Sequence, residues 1–198
     1  MADININAAA ARPPDRPSAR AGGKVSAAPE SGPESGPESE PAWDVIELLF
    51  FAYRDFVGDA DAVLAAFGFG RAHHRVLHFV NRNPGIKVAD LLDILKITKQ
   101  SLGRVLKQLL DEAYIVQRAG PSDRRQRLLY VTPKGEALAL KLANLQTARI
   151  ARAIADGGED MHEAACRFLS VMIDPENRER VRRLVIRKER GAASRRSR

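Results

Sequence analysis

The chain predicts a mainly α-helical fold with one small β-hairpin, on three observations. Thr98 is a good N-cap, and after it Leu102, Val105, Leu106, Leu109 and Leu110 fall at the i, i+3, i+4, i+7, i+8 spacing of a helix with one buried face. Directly behind it, Tyr114 to Arg118 and Arg127 to Val131 are rich in β-branched and aromatic residues. Between them AGPSDRRQ supplies the Gly, Pro, Ser and Asp of a turn, so a two-stranded hairpin is the simplest product. Long apolar stripes at helical spacing flank this unit on both sides.

Taken in order, residues 1–40 are dominated by Ala, Pro, Ser, Gly and charge, with GPES in tandem at 32–35 and 36–39. Such a segment cannot bury enough apolar surface to offset its ordering entropy, so a disordered tail is expected. The folded part spans 41–190. From Trp43 to Val57, the residues Trp43, Ile46, Phe50, Tyr53 and Val57 form a helical stripe that Leu49, Phe51 and Phe56 widen. A helix resting on one neighbour needs less apolar surface, which leaves core packing and an intersubunit face as alternatives. After Gly58 the helix continues briefly to Phe67 and meets a Gly68-Phe69-Gly70 hinge. Residues 71–82 form the next helix, with Val76, Leu77 and Val80 inward, stopped by Asn83-Pro84-Gly85. Ile86 is expected as an edge strand beside the hairpin. Val88, Leu91, Leu92 and Leu95 then make a short helix, and Lys96-Ile97 turns into Thr98.

Beyond the hairpin, Thr132 as N-cap and Pro133 at the first helical position start a helix that Leu138, Leu142, Leu145, Ile150 and Ile154 carry to about Asp156. Gly157-Gly158 ends it. A second helix is expected from Glu159 to Ile173, and Asp174-Pro175 restarts a third whose apolar side is Val181, Leu184 and Val185. Residues 191–198 are a basic tail. These helices carry more apolar surface than one monomer core requires, so a homodimer is expected.

The chemistry concentrates on the central helix and hairpin. Lys99, Gln100, Ser101, Arg104, Lys107 and Gln108 occupy the polar side of the helix, where they are able to hydrogen-bond base edges or neutralise phosphates; an ordinary solvated face is the plainer alternative. Gly103 on that side would let a backbone come close. The hairpin tip holds Arg124, Arg125 and Arg127, and Asp123 is placed to orient the Arg125 guanidinium for a narrow minor groove, with a bare surface ion pair as the alternative. Lys87 and Lys96 are either phosphate contacts or solvated. The formal net charge of +7 favours a polyanionic partner such as double-stranded DNA.

Other chemistries find less support. His74 and His78 are spaced i, i+4, as are His162 and Cys166, but each pair is an incomplete metal-ligand set. Cys166 is the sole cysteine, fits a reducing compartment and reads as a buried, inert thiol. No apolar run reaches the roughly 18 residues of a membrane span, and no basic segment leads into an apolar one at the N-terminus, so the cytoplasm is the expected location. No phosphate-binding Gly loop, nucleophile elbow or H-E-x-x-H is present, so neither an enzyme nor a cofactor is expected.

From about Trp43 to Arg190 the chain resembles the MarR (multiple antibiotic resistance regulator) family. The segment ADLLDILKITKQSLGRVLKQLLDEAYIVQR matches its helix, turn, recognition helix and first wing strand, and SDRRQRLLYVTPKGEAL its wing and following helix. The family's Asp-x-Arg falls on Asp123 and Arg125, and its Thr-Pro-x-Gly opening on Thr132, Pro133 and Gly135. Ala113 departs from it, standing where the family usually ends the recognition helix with Gly; either modest strain or a different cap follows.

The resemblance implies a winged helix-turn-helix with long N- and C-terminal dimerisation helices and a DNA-binding lobe at about 70–133. The homodimer would bind a pseudo-palindromic operator, by family default as a repressor. Gln100, Ser101 and Arg104 would read bases, Lys99 and Lys107 contact phosphate, and Arg125, aided by Arg124, enter the minor groove; Thr98, Asp123 and Arg127 complete the candidate set. A small effector, often aromatic or phenolic, would sit between lobe and dimer helices, with Phe50, Tyr53, Phe69 and His73 as candidate lining and core packing as their plainer role. Two rivals stand beside this reading: a metal-responsive regulator using His74, His78, His162 and Cys166, and a winged helix that binds protein rather than DNA.

Overall fold

The computed structural model describes residues 40–121 and 123–186, so the expected tails at 1–40 and 191–198 lie outside it except for Glu40. The elements are α1 (Trp43–Ala65), α2 (Arg71–Arg82), β1 (Ile86–Lys87), α3 (Val88–Leu95), α4 (Lys99–Asp111), β2 (Ile115–Ala119), β3 (Arg127–Val131), α5 (Pro133–Gly157), α6 (Met161–Met172) and α7 (Pro175–Ile186). The fold is mainly helical with a small antiparallel sheet, as expected. The sheet runs β1-β3-β2, with Ile86 opposite Leu129 on one side of β3 and Gln117 opposite Leu129 on the other.

One core holds the lobe together. It joins Ala60 and Leu64 of α1, Val76, Leu77 and Val80 of α2, Leu91 of α3, the buried face of α4, Ile115 and Leu129 of the sheet, and Leu138 and Leu142 of α5. Leu102, Val105, Leu106 and Leu109 supply the α4 face, so the apolar spacing read from the sequence is the packed side of that helix. Gly58 does not interrupt α1: with Val57, Ala60 and Leu64 buried around it, tertiary packing outweighs the roughly 1 kcal/mol that Gly costs a helix.

The helix ends follow local rules. Thr98 Oγ1 accepts the Ser101 N–H at 3.1 Å and starts α4. Thr132 Oγ1 accepts the Gly135 N–H at 3.1 Å and starts α5 behind Pro133. At the end of α4, the Tyr114 N–H reaches Leu109 O at 2.8 Å and the Ala113 N–H reaches Leu110 O at 3.0 Å, the paired bonds of a Schellman cap. Ala113 therefore adopts the left-handed conformation, at φ 57°, that the cap demands of any occupant. Its neighbour Gly135 is required for another reason, because a Cβ there would overlap the Tyr114 carbonyl.

Two regions are left uncovered. The first three turns of α1 expose Trp43, Val45, Ile46, Leu48, Leu49, Phe50, Phe51 and Tyr53, and burial begins only at Val57. At 100° per residue these positions surround the helix instead of lining one side, so they are not core. Helix α6 has no buried residue and exposes Phe168, Leu169, Val171 and Met172. Arg180 on α7 forms an ion pair with Asp93 on α3. No described helix is long and apolar enough to cross a membrane.

Candidate nucleic-acid interface

Opposite its packed face, α4 presents Lys99, Gln100, Ser101, Gly103, Arg104 and Lys107, all exposed. The Thr98 hydroxyl donates to Ser101 Oγ at 3.0 Å while accepting the Ser101 N–H, so Thr98 holds the helix start and leaves the Ser101 hydroxyl proton to donate elsewhere. Lys107 is ion-paired with Asp111 one turn on. Lys99 and Arg104 form no ion pair among the described residues, so their charge is fully available to a polyanion. A Cβ built at Gly103 meets nothing within 4 Å, which leaves open space over the middle of the face. Gln108, grouped with this face from the sequence, turns away from it. It is partly buried between His73, with Oε1 2.9 Å from Nε2, and Glu112, which accepts its Nε2–H at 3.0 Å.

Three residues after α4 the chain enters the wing. Gly120 and Gln126 close its tip through the Gly120 N–H to Gln126 O and the Gln126 N–H to Asp123 O, both at 3.0 Å. Arg124, Arg125 and Arg127 are exposed there and form no ion pair among the described residues. The expected role of Asp123 needs correction. Its Oδ1 accepts the Arg125 backbone N–H at 2.9 Å, the local turn bond that a short Asp side chain makes two residues on, so it fixes the turn and not the guanidinium. Sequence reading missed Arg118, whose guanidinium lies 4.9 Å from the centre of the Tyr130 ring on the wing and is held there by a cation–π contact.

A helix-turn-helix of α3 and α4 with a basic wing is thus on one framework. The MarR family model matches residues 67–126, from the hinge before α2 to the wing tip. The HTH-type transcriptional regulator PetP of Rhodobacter capsulatus is 42% identical over 130 residues, which cover 66% of this chain and 78% of PetP.

The chain belongs to the MarR family. Membership makes it a DNA-binding transcriptional regulator, and its relatives are regulators and not enzymes. Solved MarR-type structures share the fold at low identity. SlyA matches with a TM-score of 0.56 at 18% identity, covering 65% of this chain and 91% of SlyA. FabT of Streptococcus pneumoniae, solved in complex with DNA, matches at 0.55 and 16%, covering 63% and 88%.

In this MarR-family chain the four candidate effector residues do not line one site. Phe69 is buried, stacked on His73 with ring centres 4.7 Å apart and edge-on to Tyr114 at 5.0 Å, because the hinge turns it into the core. His73 is engaged by Gly70 and Gln108, and Phe50 lies on the uncovered part of α1. Tyr53 lines a cavity of about 240 Å³ between α1, α2 and α5, together with Phe56, Arg71, His74, Arg75 and Gln146 among others. The sequence did carry the signal, since 71, 74, 75 and 78 share one helix face. Arg71 Nε bonds Asp61 Oδ2 at 2.7 Å, and Arg75 donates to the Tyr53 hydroxyl at 3.0 Å. Burial pushes the His74 imidazole below its ordinary value, against the pull of Asp61 and with that of Arg75.

The two histidine-containing pairs stay apart. No group of three or more His, Cys, Asp or Glu is placed to hold a metal among the described residues. Cys166 is exposed, not buried as expected, because no described segment covers the α6 face that carries it; its Sγ is 3.9 Å from His162 Nε2.

Proposed function

We propose that this MarR-family protein acts as a homodimeric repressor that binds a pseudo-palindromic operator and is released by a small aromatic anion. The observation that carries the reading is the division of α4. Four apolar residues anchor one side, while Lys99, Gln100, Ser101 and Arg104 are exposed on the other. Such a helix in the major groove reads bases through Gln100, Ser101 and Arg104 and meets phosphate through Lys99 and Lys107, with Thr98 fixing its start. Arg125, supported by Arg124 and Arg127 on a tip that Asp123 closes, suits the narrow minor groove. The uncovered faces of α1 and α6 support a second copy, which would set two reading helices about one turn of duplex apart.

The cavity beside Tyr53 and Phe56 suits a single-ring acid. Aromatic walls meet Arg71, Arg75 and His74, and binding there touches α1, α2 and α5 together.

The test is duplex binding by three proteins against a panel of sequences. Gln100→Ala should relax preference at one base pair by about 1–3 kcal/mol, and Arg125→Ala should weaken binding to many sequences alike. Equal effects of both changes on every duplex would refute the assignment.

A further inference from the structure

Helix α2 has two working faces. Arg71, His74 and Arg75 line the cavity, and Val76, Leu77 and Val80 pack into the core against α4. Hydrophobic burial between helices is non-directional, and several neighbouring packing angles bury similar area. The bond between His73 and Gln108 is directional, and its sense is fixed by what surrounds it. The Gly70 N–H donates to His73 Nδ1 at 3.1 Å, so that nitrogen carries no proton and Nε2–H is the donor to Gln108 Oε1 at 2.9 Å. With its oxygen committed, the Gln108 amide turns its nitrogen to Glu112 Oε1 at 3.0 Å. Phe69 stacks on the imidazole with planes 9° apart, which restrains its swing. A chain of polar bonds thus runs from the start of α2 to the C-terminal turn of α4, each link setting the next.

We infer that His73 and Gln108 are positioning residues that set the angle at which α4 meets DNA, an inference that rests on α4 being the reading helix. The lever arm is long. Gln100 lies eight residues from Gln108, about 12 Å along the axis at 1.5 Å per residue. A 10° tilt about Gln108 would move Gln100 by about 2 Å, more than a base-edge hydrogen bond tolerates. Phosphate contacts, which depend on charge more than angle, would survive that tilt.

The experiment uses the full chain and two duplexes: one that the wild-type protein selects from a random-sequence pool, and a scramble of it. Three quantities are read: the affinity ratio between the duplexes, the salt dependence on the scramble, and the thermal midpoint. Asn in place of His73 keeps an acceptor where Nδ1 stands but does not reach Gln108; Gln keeps a donor where Nε2 stands. His73→Asn and Gln108→Leu should each lower the ratio about tenfold, the worth of one well-aimed base contact, with the salt dependence on the scramble unchanged. His73→Gln should stay within about threefold of wild type, and the His73→Asn, Gln108→Leu double variant should fall no further than the worse single one. Wild-type ratios in both single variants, an equal loss in His73→Gln, or additive losses would overturn the inference while leaving the operator reading in place. A wild-type protein that selects no sequence would overturn that reading and the inference with it.

Discussion

Ala113 offers a direct measure of backbone strain. It is held at φ 57° by the cap that ends α4, its N–H bonds Leu110 O at 3.0 Å, and its carbonyl accepts the Thr132 hydroxyl at 2.7 Å. An L-residue in this conformation costs about 1–2 kcal/mol, which Ala113→Gly removes. Glycine also frees the unfolded chain, at a cost of about 0.4–1 kcal/mol. The methyl group is exposed, so little burial is lost. The net expectation is a gain of about 0.5–1 kcal/mol, or about 1–4 °C in thermal midpoint for a domain of this size. Urea and thermal unfolding at one fixed protein concentration are the assays, since association would make the midpoint concentration-dependent. A lower midpoint for Ala113→Gly would refute the strain argument and mean that the methyl group itself contributes packing.

The converse substitution one turn into α5, Gly135→Ala, should cost about 3 kcal/mol in urea unfolding, because the added methyl meets the Tyr114 carbonyl, a backbone atom that cannot rotate away; a change below 1 kcal/mol would show that the approach relaxes. His74 should titrate below 6.5 by NMR, since burial disfavours its cation. The sign follows: between its depressed folded value and about 6.5 the unfolded chain binds more protons, so stability is complete above about 6.5 and declines as pH falls through that window. His74→Gln should flatten that slope, and a His74 titrating above 6.5 would contradict it. Leu48→Glu on α1 and Phe168→Glu on α6 should each yield monomer in sedimentation velocity; a dimer retained by both would place the intersubunit contact elsewhere.

Much of the lobe was readable because its signals are local. The bounds of α2, the Thr98 and Thr132 caps and the two wing strands each depend on a few adjacent residues. What escaped depended on the third dimension or on a choice between two local rules. Gln108 sits at the seam between the packed and open sides of α4, and only the position of His73 decides which way it turns. Asp123 had two partners within reach, the Arg125 guanidinium and its N–H, and the shorter reach to the backbone won. Phe69, by contrast, takes the core position that was its plainer role, stacked on His73 and edge-on to Tyr114. Cys166 among alanines suggested burial, which would require a neighbour that the described chain does not place over α6.

The first turns of α1 bear on how the protein comes into being. A rod ringed by Trp43, Leu48, Phe50 and Phe51 gains nothing from being ordered in water, and no other described segment of its own chain wraps it. On the dimeric reading, completing that rod and meeting a second copy are one event. Abundance then governs how much competent regulator exists more steeply than in simple proportion, and a freshly made chain is most vulnerable to proteases and to mispairing while it is still solitary.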